Sequence, residues 1–221
     1  MKSAFRPRNL LIWIVVTLLA VIGIAAAVRR TLILEKIIPV FNPPKYPGFD
    51  SGFSRHPGLT LIHIVPGALF MILGPLLFIK RIRNRNEVAY QWIRTLYLIC
   101  AFTVGITALI MSYTVSIGGA NETAATTTFA LFFLFCLTKM LLSIINGNKI
   151  MYREWLLRSF AIGLAVATVR PIVGIFFAVS SLSPHEFFGI AFWLGFTIHL
   201  LVVEGYIRAT RPKFQAPSYS K

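Results

Sequence analysis

LLIWIVVTLLAVIGIAAAV, residues 10–28, holds no charge and a single hydroxyl. At a helical rise of about 1.5 Å per residue, these 19 residues reach roughly 28 Å, close to the ~30 Å hydrocarbon core of a bilayer. A surface helix of a soluble domain would carry a polar face along such a run. This one is apolar all round. Comparable runs recur near 59–79, 92–114, 124–146, 157–179 and 186–206. Hydrophobic residues make up 57% of the 221 positions and charged ones 13%, about half the usual charged share of a soluble domain. Long solid runs also exclude a membrane β-barrel, whose strands read as short alternating segments. The expected fold is all-α, a polytopic transmembrane bundle of six spans.

Lys2, Arg6 and Arg8 precede the first run, and AAAV at 25–28 has the small residues of a signal-peptide cleavage site. The run exceeds a signal-peptide core in length, so a retained first helix is expected. The net charge of +15 raises nucleic acid as a partner, and the placement of the charges removes it. Of 22 Lys and Arg, 15 fall in the N-terminus, 80–94, 149–158 and the C-terminal tail, all on one side of a six-span topology. The 29–58 loop carries 5, the 115–123 and 180–185 loops none, and Lys139 and Arg170 lie inside spans. The positive-inside rule then puts both termini in the cytoplasm. KRIRNRN at 80–86 reads as a turn anchored to anionic head groups rather than as a polymer-binding patch.

The organisation that follows is an N-terminal tail with the first helix (1–28), an outer loop (29–58), a five-helix membrane domain (59–206) and a basic cytoplasmic tail (207–221). Pro39, Pro43, Pro44, Pro47 and Pro57 deny the outer loop regular structure. It is either a connector or a lid over the outer face, and TLILEKIIPVF within it suits a short piece lying on the membrane surface. Gly67, Gly74, Gly105, Gly163 and Ala167 mark places where helices can approach closely. Cys100 and Cys136 sit in apolar runs without a CxxC neighbour, so neither a disulfide framework nor a zinc site is expected. The residues 121–123 match a glycosylation sequon, a pattern common by chance.

Ionisable groups at membrane depth cost a few kcal/mol each and tend to face partners, water or a function. Counted down each span, Arg170 lies about 13 Å and His63 about 6 Å below the outer ends of their helices. His185 and Glu186 stand at the outer mouth of the last span. Lys139, His199 and Glu204 lie about 22, 20 and 27 Å below the outer ends of theirs. An outer cluster (Arg170, His63, His185, Glu186) is therefore distinguished from an inner one (Lys139, His199, Glu204). Arg170 is out of reach of Glu204, whereas Lys139 can meet it by snorkelling. Pro171 offers no N–H to the carbonyl of Ala167, which predicts a kink with a free carbonyl beside a guanidinium. Such a spot suits a carboxylate or phosphate, or ties helices together through carbonyls and Glu186. His63 and His185 share a level, so one haem b held between them is an alternative, and His199 has no matching partner. HExxH, GxSxG, P-loop and GxGxxG motifs are absent, and no enzyme site or metal site is expected.

Three stretches carry a resemblance: HIVPGALFMILGPLLF with its basic turn (63–85), YQWIRTLYL (90–98) and YREWLLRSFAIGLAVATVR (152–170). Over about residues 60–205 the chain resembles the bacterial DUF2306 family of predicted membrane proteins. His63, Trp92, Tyr97, Arg153, Trp155, Arg158, Ser159 and Arg170 fit the family pattern. Tyr90 and Tyr152 stand where that pattern has histidines, and Arg94 and Thr95 replace a Gly-Arg pair. If relatives use those histidines for metal or haem, this chain lacks two of the ligands. The resemblance implies a multi-pass protein of the bacterial cytoplasmic (inner) membrane and supplies no activity. The functional expectation is a non-enzymatic membrane component that binds a small anionic or lipidic ligand, or a partner protein or second copy, near Arg170. The alternatives are a haem- or quinone-linked redox protein using His63 and His185, and a small-solute transporter.

Overall fold

A bilayer interior leaves no water for backbone N–H and C=O groups, so each apolar run must satisfy them within itself as a helix. The computed structural model describes residues 7–39 and 51–211, and the chain there is helical. The elements are α1 (Pro7–Leu34), α2 (Ser51–Arg55), α3 (Pro57–Leu77), α4 (Lys80–Arg85), α5 (Glu87–Thr114), α6 (Gly119–Ile145), α7 (Lys149–Val179) and α8 (Pro184–Thr210). Six of them, all but α2 and α4, are long and apolar enough to cross a membrane. The six spans stand as expected, and most run past their expected ends. The first extends to Leu34 rather than residue 28, and α7 begins at Lys149 rather than residue 157. Pro43, Pro44 and Pro47 of the outer loop, Lys2 and Arg6, and the tail beyond Arg211 lie outside the described residues.

The turns follow from local chemistry. Between α6 and α7, Gly147 adopts φ +66°, a left-handed conformation that closes a helix end without a Cβ penalty. Its N–H bonds to Ile144 O at 3.1 Å, and the Asn148 N–H bonds to Ser143 O at 2.9 Å. Asn148 then opens α7 by accepting from the Met151 N–H at 3.0 Å. Asn86 does the same for α5, accepting from the Ala89 N–H at 2.9 Å. α8 starts at a Ser183–Glu186 box, with the Ser183 N–H and hydroxyl both donating to the Glu186 carboxylate at 2.7 Å. These short turns make successive spans antiparallel. The ends bearing the 115–118 and 180–183 turns are termed outer, and the opposite ends inner.

α5 packs between α3 and α6, and α7 packs against both α6 and α8. α1 leans on α3 and α7 and leaves most of its surface to lipid, with Leu11, Leu18 and Val21 exposed. The centre is aromatic. Phe70 stacks on Tyr97 at 4.9 Å between ring centroids and meets Phe133 and Phe160 at 5.8 Å each. Two glycines make this packing fit: a Cβ at Gly163 would fall on the Phe70 ring, and one at Gly74 on the Phe160 ring. Asn121, the sequon residue, instead accepts from the Trp193 indole at 3.1 Å and packs under Gly189.

The Phe70 ring is held on three sides, so Gly163→Ala is expected to overpack the core and cost about 1–3 kcal/mol. At Gly205 an added Cβ meets nothing within 4 Å, so Gly205→Ala should be neutral or stabilising by up to about 1 kcal/mol. Apparent Tm of the two purified variants against the parent checks the contrast.

Candidate functional site

A cavity of about 220 Å³ opens in the outer half of the bundle, walled by α1, α3, α5, α6, α7 and α8. On α6 its lining runs from Glu122 to Phe133, about 16 Å of helix. Its floor is the aromatic centre, Phe70 and Phe133. Its sides are small, with Gly23, Ala26 and Ala27 on α1, Gly67 on α3, Ala108 on α5 and Ala167 on α7. Polar groups gather at the outer end: Arg30, His63, Glu122 and Arg170.

Arg170 both lines the cavity and is exposed on the outside of the bundle, so it stands at the cavity's mouth. α7 continues as helix through Pro171 to Val179 rather than ending there. Proline still brings no N–H to the Ala167 carbonyl, and Ala167 is part of the lining. His63 lies within electrostatic reach of Arg170, and its Nδ1 is 2.8 Å from the Thr107 hydroxyl. The same hydroxyl lies 2.7 Å from Thr103 O and 3.1 Å from Val104 O, and its one hydrogen serves one of these three neighbours at a time.

Two site residues escaped the sequence reading. Arg30 counted there only as a charge of the outer loop, because the first span was expected to end at residue 28. The apolar TLIL that follows it was the missed signal: α1 carries on to Leu34 and buries Arg30 inside the bundle. Its guanidinium lies 4.1 Å above the Phe53 ring, so α2 folds over the cavity's outer end. The Thr60 hydroxyl lies 2.9 Å from His56 O and 3.1 Å from Phe53 O, which holds the start of α3 against α2. Glu122 was noticed only as the middle of a sequon. It is buried, and its Oε2 accepts from the N–H groups of Ile117 (2.7 Å) and Gly118 (2.5 Å) and from the Ser116 hydroxyl (3.2 Å). It ties the 115–118 turn into the cavity's rim.

The other expected members go elsewhere. His185 is exposed, stands against Gly119, and is not among the residues that line the cavity. Glu186 caps α8 and likewise stays outside. His63 and His185 therefore do not share a pocket, and the geometry for one haem between them is missing.

The inner cluster separates into three places. His199 Nε2 bonds to the Thr168 hydroxyl at 2.7 Å, joining α8 to α7. Lys139 is exposed over the Phe135 ring at 5.5 Å rather than meeting Glu204. Glu204 pairs with Arg158 through two bonds of 2.5 and 3.1 Å. Arg158 also lies 3.6 Å from Glu154, one turn before it, and 4.5 Å above the Trp155 ring. Glu154, buried, takes the Arg211 fork at 2.7 and 2.8 Å. That carboxylate holds the Arg211 pKa above its ordinary value. The i,i+4 spacing of Glu154 and Arg158 was the available signal, hidden because span five was expected to start at residue 157. Nearby, Tyr90 and Tyr152 join α5 to α7 hydroxyl to hydroxyl at 2.9 Å. No group of three His, Cys, Asp or Glu side chains suited to a metal occurs among the described residues.

Arg158→Leu strands Glu204, while Glu154 keeps Arg211, and is expected to cost about 2–3 kcal/mol. The lower figure applies because the Glu204 side chain is 35% exposed. Arg158→Leu combined with Glu204→Leu should recover part of that loss, as a double-mutant cycle on thermal unfolding would measure.

No curated protein and no solved structure matches this chain. The family model DUF2306, described as a predicted membrane protein, matches residues 60–207. The match takes in α3 from Thr60 to Ile207 of α8 and leaves α1 outside. It covers well over half of the chain, including His63, Arg158, Arg170 and Glu204. The chain belongs to the DUF2306 family of predicted membrane proteins.

Proposed function

We propose that this multi-pass protein is a non-enzymatic binding component of a bacterial cytoplasmic membrane. Its termini face the cytoplasm, and its outer-leaflet cavity takes an anionic amphiphile with the head at Arg170. One observation carries the reading: a cavity with an apolar floor and small apolar walls has two arginines, Arg170 and Arg30, at its outer end. A guanidinium stays charged at any working pH and offers a planar fork of donors to a carboxylate or phosphate. The apolar remainder suits a hydrocarbon tail, in the usual division of a ligand site into apolar lining and a few orienting polar groups. The topology rests on the charge count, since 15 of 22 Lys and Arg belong to the inner segments and termini. Arg30 and Arg170 run against that bias, which fits a role other than anchoring.

Thermal unfolding with decanoate and with decanol tests this. Decanoate should raise the apparent Tm by several degrees and decanol should not, because binding to the folded state alone stabilises it. Arg170→Gln should keep the ligand-free Tm and lose the decanoate shift. A variant that unfolds early and still responds to decanoate would make Arg170 a structural tie and refute the reading.

A redox reading rests on His63, an imidazole that lines the cavity. The visible spectrum of the purified protein decides it: a Soret band lost in His63→Ala would favour haem. A transport path would have to cross the packed layer of Phe70, Tyr97, Phe133 and Phe160 between the cavity and the Arg158–Glu204 pair.

A further inference from the structure

The cavity's dimensions and walls say more about its occupant, on the premise that it binds an anionic amphiphile. We propose that it takes a single hydrocarbon chain of about ten carbons, its carboxylate or phosphate head clamped between Arg30 of α1 and Arg170 of α7.

The length comes from the helices that line it. On α1 the lining descends from Arg30 to Gly23, and on α7 from Arg170 to Ile162, about 10–12 Å in each case. Both arginines are thus the outermost lining residues of their own helices. Below them an extended chain advances about 1.3 Å per carbon, given C–C bonds of ~1.5 Å, so about eight to ten carbons reach the floor. The floor is firm because Phe70 is held by Tyr97, Phe133 and Phe160.

The width comes from the volume. About 220 Å³ distributed along about 16 Å of helix favours one chain over the two of a phospholipid. At Gly67 an added Cβ would meet only Val104, at 3.8 Å. Gly163 differs, since its space is filled by Phe70. A side chain at position 67 is therefore tolerated by the helices and must occupy the room meant for the tail.

The clamp depends on α1. This helix lies outside the family match at 60–207, yet it supplies one cation and a wall of small residues. Arg170 is exposed as well as part of the lining, which gives a chain a way in from outside the bundle.

The experiment uses the full chain in nanodiscs of phosphatidylcholine. Binding of n-alkanoates from six to eighteen carbons, of n-alkyl phosphates and of dioleoyl phosphatidic acid is measured above the background of an Arg30→Gln/Arg170→Gln variant. Saturable binding should peak near ten carbons and fall at least tenfold by sixteen, and dioleoyl phosphatidic acid should not saturate. Arg30→Gln alone should weaken decanoate at least tenfold. Gly67→Leu should move the optimum to six carbons or fewer while keeping the parent Tm, and Gly67→Ala should weaken the longer chains if the leucine variant does not fold. Whichever of the alkanoate and alkyl phosphate series binds tighter identifies the head. Absence of saturable binding by every single-chain anion would overturn the function proposed above. Binding that rises steadily with chain length, accepts phosphatidic acid equally or ignores Arg30→Gln would leave that function standing and overturn this inference.

Discussion

The Phe70 ring fills the notch that Gly163 leaves in α7, and most of the structure is arranged around that contact. It sets how closely α3 and α7 approach. It also gives Tyr97 and Phe133 a surface to pack on, and so brings α5 and α6 into the same centre. In a bilayer this matters more than in water, because association of helices there rests on close packing rather than on hydrophobic burial. The same ring closes the lower end of the cavity. One side chain thus divides the bundle into an open outer half and a packed inner half.

Charge follows that division. In the inner half, Glu204, Arg158, Glu154 and Arg211 satisfy one another across α7, α8 and the start of the tail. Paired charges of this kind fix helix register more than they add stability, since desolvation offsets much of their attraction. In the outer half, the carboxylate of Glu122 is tied to the backbone of its own turn, and two arginines and a histidine share a cavity of otherwise apolar character. The inner charges lock helix register, and the outer arginines line the cavity in which a ligand is proposed.

The sequence carried the six spans plainly, because length and the absence of charge are enough to define a membrane helix. It also singled out Arg170, since an arginine before a proline within an apolar run has few neutral explanations. Helix ends were where it fell short. An expected end at residue 28 turned Arg30 into a loop charge, and an expected start at 157 separated Arg158 from Glu154. Apolar character fades at the head-group level, while the helix continues through capping and packing that composition does not record. Depth counting grouped His185 and Glu186 with Arg170 at the outer side. Height says nothing of azimuth, and the structure turns those two toward the α8 cap and Gly119. Tyr90 and Tyr152 illustrate the same gap, being 62 residues apart in sequence and 2.9 Å apart at their hydroxyls.

Entry of hydrocarbon into the bundle beneath the two arginines is open to a direct test. A decanoate bearing a diazirine on its terminal carbon is photolysed with the protein in nanodiscs and the labels are mapped by mass spectrometry. Labels are expected on the floor residues Phe70, Met71 and Phe133, displaced by excess decanoate and absent from the Arg30→Gln/Arg170→Gln variant. Labels confined to lipid-facing positions such as Leu18, Val21 and Ile175, unchanged in that variant, would contradict it.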